Sequence, residues 1–379
     1  MMILALSAFL GLALFAQMTS IGLVLARRRR PGPVPLPGDG EGTTILRPCC
    51  GIENHLDATV RSVLMLDHPR YEVLFCVARA DDPVIPFLRG ILADYPDRDA
   101  RILVGDERIS TNPKLNNVVK GWNAARYDRI VMSDSNLLVP PSYLDEIEHV
   151  RDARTAFVCS PPVGTHVEGF SAELEAAFLN TYQARWQLLA DELGIAFAQG
   201  KTIAMRRSDM EDMGGLAALA AEAAEDAAAT KAAHRFGRRV RLVRRPFAQP
   251  LGYRRFADVW RRQVRWARLR RSSFPLAFFA EIFTGFVPAA AAAIALVAMG
   301  ELDFWTLPLL AFVWYAAEYL LARAYRWPAG PSMLLAAVVR DLLLPCVWVE
   351  GWVGYTFEWR GNAMSTNDDK ELLPKTTTL

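Results

Sequence analysis

The sequence is short of the residues that build disulfide and zinc frameworks. Its 379 residues include five cysteines, Cys49, Cys50, Cys76, Cys159 and Cys346, and no pair has CxxC spacing. Such spacing offers neither a zinc site nor a disulfide scaffold, and it reads as reduced thiols packed in or near a core. Charge of one sign is also scarce. A formal net charge of +2 excludes a general nucleic-acid binder, which needs a large basic excess. The charge order of a secretory signal is absent as well. A signal places its positive charge before an apolar run, whereas here residues 2–26 are apolar and Arg27 to Arg30 follow them. No internal repeat is visible.

Apolar side chains are abundant. They make up 52% of the chain, with a mean hydropathy of +0.12, high for a purely soluble protein. About 20 apolar residues suffice to cross a bilayer, so residues 2–26 predict an uncleaved anchor. Its N-terminus is expected outside and its arginines in the cytoplasm. Residues 31–42 (PGPVPLPGDGEG) read as a Pro/Gly linker. Three more apolar segments cover roughly 276–299, 304–322 and 332–354. The last contains Arg340, Asp341 and Pro345, and charge inside a bilayer is expensive, so it reads as re-entrant or interfacial rather than a simple span. Basic clusters at Arg27 to Arg30, Arg238 to Arg245 and Arg261 to Arg271 suit an anionic membrane surface.

Between about 43 and 250 the pattern alternates. β-rich runs at 43–47, 71–78, 101–104, 129–133 and 155–159 are separated by helical patterns around 55–66, 83–94, 113–126 and 141–152. This alternation predicts an α/β fold with a mostly parallel sheet covered on both faces. Ligands of such sheets bind beyond the carboxyl ends of the strands. Asp81-Asp82 follows one predicted strand and Asp134 closes another. Residues 216–235 are Ala-rich and predict one helix containing Glu225-Asp226. Residues 256–271 predict a basic amphipathic helix at headgroup level.

Each acidic or basic cluster has an ordinary alternative. Asp134-Ser135-Asn136 suits either a turn or a carboxylate for Mg²⁺ or Mn²⁺ that in turn holds phosphate oxygens. Asp82, before Pro83, suits a helix cap and equally a ligand contact. Glu225-Asp226 suits a solvated helix face or a general base. In Asn112-Pro113-Lys114-Leu115-Asn116-Asn117, Lys114 and Asn117 suit a cap or a nucleotide phosphate and ribose. Arg262, Arg265 and Trp266 suit headgroup contact. They equally suit a diphosphate grip through Arg265 and an acceptor wall at Trp266.

Taken in order, the segments HPRYEVLFCVARADDP, DARILVGDERISTNPKLNNVVKGWNAARYDRIVMSDSN, EDAAATKA and RRQVRWARLR resemble the ceramide glucosyltransferase family. The resemblance covers roughly residues 43–275. It implies a GT-A-like fold, with the family's three aspartates at Asp82, Asp134 and Asp226 and its (Q/R)xxRW motif at Arg262, Arg265 and Trp266. It further implies inverting transfer of glucose from UDP-glucose to the primary hydroxyl of ceramide, with Asp226 as base. Asp82, Lys114, Asn117 and Asp134 would hold the UDP-sugar, with a divalent cation on Asp134. Arg262, Arg265 and Trp266 would serve the departing diphosphate and the acceptor. Two departures stand out. The second motif is Asp134-Ser135-Asn136 rather than Asp-x-Asp, and Glu225-Asp226 is followed by alanines where animal relatives carry aromatics. The Ala- and Arg-rich composition looks bacterial, and related bacterial enzymes glycosylate ceramide or hopanoid lipids.

The expected organisation is an anchor at 1–30, a linker at 31–42, a glycosyltransferase domain at 43–255, an interfacial helix at 256–275, membrane segments at 276–360 and a tail at 361–379. The expected setting is a bacterial inner membrane, with the catalytic domain in the cytoplasm. The topology is testable. In a cysteine-free background, a cysteine placed within 31–42 is expected to resist impermeant thiol reagents added to intact cells. Ready labelling from outside reverses the orientation.

Overall fold

Continuous runs of β-branched and aliphatic residues, rather than alternating ones, mark strands covered on both faces. The computed structural model describes residues 1–30, 41–359 and 362–365. Most of the expected linker (31–42) and tail (361–379) lies outside the described residues. The chain divides into two units. One comprises residues 31–162, 193–250 and 356–379; the other comprises 1–30, 163–192 and 251–355.

The first unit is built on a seven-stranded sheet. Its strands are β1 (Thr43–Cys49), β2 (Tyr71–Val77), β3 (Ala100–Val104), β4 (Arg129–Ser133), β5 (Thr155–Cys159), β7 (Thr202–Arg206) and β8 (Arg239–Leu242); β6 (Val163–Glu168) belongs to the second unit. Their order is β3-β2-β1-β4-β7-β5-β8. β1, β2, β3 and β4 pair in parallel, as do β5 and β8, while β7 runs antiparallel between β4 and β5. The expected α/β, mostly parallel, GT-A-like class therefore holds, with one reversed strand inserted. The core gathers Ile45, Val73, Phe75, Val131, Leu137 and Val158 from the strands and their following loops, with Val60, Leu88, Tyr143 and Ile147 from the covering helices. Helix Pro113–Ala124 lies close on the sheet. A Cβ built on Gly121 would sit 2.6 Å from Cys76 Sγ, so only glycine permits that approach.

Two expectations about this unit need correcting. The Ala-rich stretch is not one helix. It forms Leu216–Leu219 and Glu225–Arg235, separated by a turn. Asn112 Nδ2 donates to both the Ala223 carbonyl (3.2 Å) and Glu225 Oε2 (2.7 Å), and these long-range bonds override the helix propensity of alanine. Two strands lie outside the expected runs: β7 carries no alternating signal, and β8 alternates over only four residues. β8, in particular, is Arg-Val-Arg-Leu within an arginine-rich run and reads as a basic cluster.

The second unit contains three helices long and apolar enough to cross a membrane: Met2–Arg29, Thr306–Tyr325 and Pro331–Val353. Pro275–Glu281 and Phe286–Ala298, bent by 49° at a short break, make a fourth if counted as one span. The break thus falls in the first C-terminal apolar segment. The segment carrying Arg340, Asp341 and Pro345, expected to be re-entrant, is a continuous 23-residue helix. Its charges are satisfied inside the bundle. Arg340 Nη1 lies 3.0 Å from Glu318 Oε2 and Arg340 Nη2 lies 2.9 Å from Asp341 Oδ2, with all three side chains at most 2% exposed. Tyr315 donates to Asp341 Oδ2 (3.0 Å), and Gln17 Nε2 donates to Glu318 Oε1 (3.2 Å). Arg185 completes the cluster by donating to Gln17 and to Ser20 Oγ.

Breaking one side of such a pair strands the other charge. Glu318→Ala is expected to destabilise the protein by about 3–5 kcal/mol, read as a fall in the unfolding midpoint in detergent. The control Tyr319→Ala, on the exposed side of the same helix, is expected to stay within about 0.5 kcal/mol. Equal midpoints would dismiss the buried cluster.

Candidate active site

The site assembles at the carboxyl end of β4. Asp134 follows Ser133, the last residue of that strand, and its backbone N–H donates to the Lys201 carbonyl at the entry to β7 (3.0 Å). Helix Pro113–Ala124 brings in Lys114. Asn112 caps that helix by accepting from the N–H groups of Lys114 (2.9 Å) and Leu115 (3.2 Å), with Pro113 at the first helical position. Helix Glu225–Arg235 supplies Glu225 and Asp226 from its first turn, where the positive end of the helix dipole favours carboxylates.

These side chains form a single charged network. Lys114 Nζ lies 2.7 Å from Asp134 Oδ1 and 2.7 Å from Glu225 Oε1. Lys201 Nζ lies 2.9 Å from Asp134 Oδ2 and donates to Asn136 Oδ1 at 3.0 Å. Asp226 Oδ2 accepts the Gly200 N–H (3.1 Å), and Asp226 Oδ1 accepts the Ala227 N–H (2.8 Å). A side chain at Gly200 would crowd Glu225. Its Cβ would lie 3.0 Å from Glu225 Oε1 and 3.5 Å from Asp226 Oδ2.

The electrostatics divide the carboxyl groups. Burial would raise the Asp134 carboxyl, but the ammonium groups of Lys114 and Lys201 outweigh it and hold it well below the usual carboxylate range. Burial and the adjacent Glu225 charge push the Asp226 carboxyl up to about 6, against the pull of Lys114. Lys114 itself is held in its charged form. Burial works against that charge, and the Asp134 and Glu225 carboxylates more than compensate. The site therefore contains one firmly ionised acid and one poised to exchange a proton near neutral pH.

The other expected residues have distinct placements. Asp82 lies beyond β2, where its carboxylate accepts the Gly51 N–H at 3.0 Å and the Val84 N–H at 2.9 Å. The helix begins one residue later than expected, at Val84, so Pro83 rather than Asp82 occupies the capping position. Asn117 Nδ2 donates to the Cys76 carbonyl (2.9 Å), and its Oδ1 accepts from Lys120 (2.6 Å). Arg262, Arg265 and Trp266 belong to the second unit, on helix Phe256–Ser273. There Arg262 is engaged by Glu175, a buried carboxylate that Arg254 also approaches (3.3 Å). Trp266 packs on the cluster around Ala172, Ala176 and Leu251.

Lys201, Gly200 and Asn112 escaped the sequence reading as site residues. One signal was available. Only six of the 43 basic residues are lysines, so a lysine stands out in this arginine-rich chain. Among the described residues no group of three or more His, Cys, Asp or Glu side chains is arranged for a metal. Asp134 alone fits an ion whose remaining ligands are phosphate oxygens and water, the usual arrangement for Mg²⁺ bound with a nucleotide.

Comparison with known proteins agrees in kind. Ceramide glucosyltransferase 3 of Caenorhabditis elegans is 23% identical over 341 residues, spanning 88% of this chain and 74% of that protein. The ceramide glucosyltransferase of Komagataella phaffii is 28% identical over 201 residues, 45% of this chain and 38% of that protein. Among solved structures, a mannosyltransferase of Pyrobaculum calidifontis in complex with GDP-Man and Mn²⁺ is 19% identical, with a TM-score of 0.49 over 89% of this chain and 99% of that one. The family described as Glycosyl transferase family 21 matches residues 4–372, nearly the whole sequence, and this chain belongs to that family of sugar-transferring enzymes.

Proposed function

We propose that this glycosyltransferase moves glucose from UDP-glucose to the primary hydroxyl of ceramide with inversion at the anomeric carbon. The observation that carries the reading is the division of labour between two carboxyl groups. Asp134 is held ionised by two ammonium groups, and Asp226 is raised to about 6. A primary alcohol is a poor nucleophile at neutral pH, so its proton must leave as the new C–O bond forms. Asp226 accepts that proton, having two backbone N–H donors to fix its orientation and no lysine in direct contact. The alcohol oxygen attacks the anomeric carbon from the side opposite the departing UDP, which gives inversion.

Asp134, Lys114, Asn117 and Asp82 are the donor-side residues of this reading. A divalent cation, Mg²⁺ or Mn²⁺, would be held by Asp134 and would supply positive charge at the diphosphate. Lys114 contributes a permanent ammonium charge to the same site as the diphosphate's charge develops. The motif assigns Arg265 and Arg262 to the leaving group and Trp266 to the acceptor. The helices apolar enough to cross a membrane accord with a lipid acceptor. The setting we propose is a bacterial inner membrane with the catalytic unit in the cytoplasm.

A product screen tests the reaction. Purified protein is offered UDP-glucose, UDP-galactose, UDP-glucuronic acid and UDP-N-acetylglucosamine against ceramide, a hopanoid and polyprenyl phosphate, with lipids read by mass spectrometry. Glucosylceramide is the expected product; a different sugar or lipid reassigns the substrate. Asp226→Asn, which cannot accept the proton, is expected to lower turnover at least ~10²-fold, in the range for a lost general base, with UDP binding retained. Retention of more than about a tenth of wild-type turnover removes Asp226 from that role.

The pH profile supplies an independent check. A base works only when deprotonated, so turnover is expected to rise through pH about 6 and level off above it. Glu225→Gln removes the adjacent negative charge and leaves Lys114 less neutralised. Both changes favour ionised Asp226 and are expected to move the rise to lower pH. A profile that does not move with this variant is incompatible with Asp226 as the titrating group.

A further inference from the structure

Both oxygens of Asp134 are already taken. Lys114 Nζ is 2.7 Å from Oδ1 and Lys201 Nζ is 2.9 Å from Oδ2, and each lysine has further acceptors behind it. Lys114 is backed by Glu225 and the Gly200 carbonyl, Lys201 by Asn136. Resting on the reading of Asp134 as the ion-holding carboxylate, we propose that Lys114 and Lys201 form an internal counter-ion pair. The pair keeps a divalent ion off Asp134 until a nucleoside diphosphate gives the two ammonium groups new partners. Ion and nucleotide therefore enter together, and Lys201 becomes a diphosphate contact that no recognised motif marks.

The argument is electrostatic. A bare divalent ion approaching Asp134 meets two positive charges within 3 Å of the oxygens it needs, and partial burial weakens the screening that water would provide. The single carboxylate offers no second acidic ligand in compensation, since no metal-holding acidic cluster exists among the described residues. A diphosphate changes the balance. Its oxygens accept from lysine as readily as a carboxylate does, and an ammonium on a flexible stem re-aims without losing its charge. Lys114 keeps Glu225 throughout.

The same ammonium groups serve cleavage. The diphosphate of a nucleotide-sugar carries two negative charges and gains a third as the glycosidic bond breaks. Positive charge already in place beside the departing group stabilises that added charge in the transition state.

Mn²⁺ binding followed by electron paramagnetic resonance tests this on the full-length protein in detergent, with and without UDP. The wild type is expected to bind Mn²⁺ at least ~10-fold tighter with UDP than without, within the usual range of coupling between two ligands. Lys201→Met is expected to bind Mn²⁺ alone ~10-fold tighter than wild type and UDP correspondingly more weakly. Lys201→Arg, which keeps the charge, is expected to follow wild type, and adding Asp134→Asn is expected to erase the gain. Unfolding midpoints confirm that each variant is folded, with Lys201→Gln replacing Lys201→Met if the latter is not. Wild-type Mn²⁺ affinity that ignores UDP, or no gain in the neutral variant, overturns the proposal. If sugar transfer proceeds while Mn²⁺ uptake ignores Lys201, the counter-ion pair fails and the transferase reading stands. If UDP binds no form, the donor reading fails, while the gain in Lys201→Met still reports the lysine pair.

Discussion

The ammonium of Lys114, held between Asp134 and Glu225, is the contact around which the candidate active site is organised. Three carboxyl groups from two separate elements converge there, and without a cation between them their repulsion would oppose the fold. The local sequence is arranged to make the contact. Asn112 fixes the start of the lysine's helix with one side-chain atom and holds Glu225 with the other. Gly200 leaves room for both acids. Because Lys114 is spent on Asp134 and Glu225, it neutralises Asp226 only from a distance. The raised carboxyl of Asp226 comes from its burial and from the adjacent Glu225 charge, which the distant lysine only partly offsets.

The apolar helices show the same physics with a different outcome. Arg185 and Arg340 face Glu318 and Asp341, two positive against two negative charges, with Gln17, Ser20 and Tyr315 filling the remaining hydrogen bonds. A balanced, fully bonded cluster is quiet: it holds helices in register and leaves nothing to react. The candidate site's cluster is not balanced in this way. Lys114 and Lys201 face Asp134, Glu225 and Asp226, and the surplus acid is the one whose proton is labile. Buried charge therefore has two uses in this chain, and the local charge sum separates them.

Much of this was legible from residues alone. The strands β1, β2, β4 and β5 are short, β-rich and largely buried runs, and Asp82 and Asp134 follow two of them, where a crevice is expected. What escaped depended on contacts distant in sequence. The break before Glu225 is imposed by Asn112, more than a hundred residues away. β7 is a short reversed strand fitted between β4 and β5, and Lys201, just before it, has meaning only once Asp134 is beside it. Arg340 and Asp341 suggested a disrupted helix because a linear reading shows the cost of a charge and not its partner. Glu318 lies on another helix.

Under the proposed donor reading, the two ends of the nucleotide are told apart by hydrogen-bond polarity. Asp82 is fixed by backbone N–H groups from Gly51 and Val84 and is an acceptor only, with no lysine paired to it. Such a carboxylate repels phosphate and suits a ribose hydroxyl or a base N–H. Asp134, by contrast, is ringed by ammonium donors that suit phosphate oxygens. The base and ribose then belong near the loops after β1 and β2, and the diphosphate near the end of β4. The order of these strands in the sheet, β2-β1-β4, gives the donor its direction: from Asp82 along the carboxyl edge towards Asp134, with the sugar beyond it on the side of Asp226.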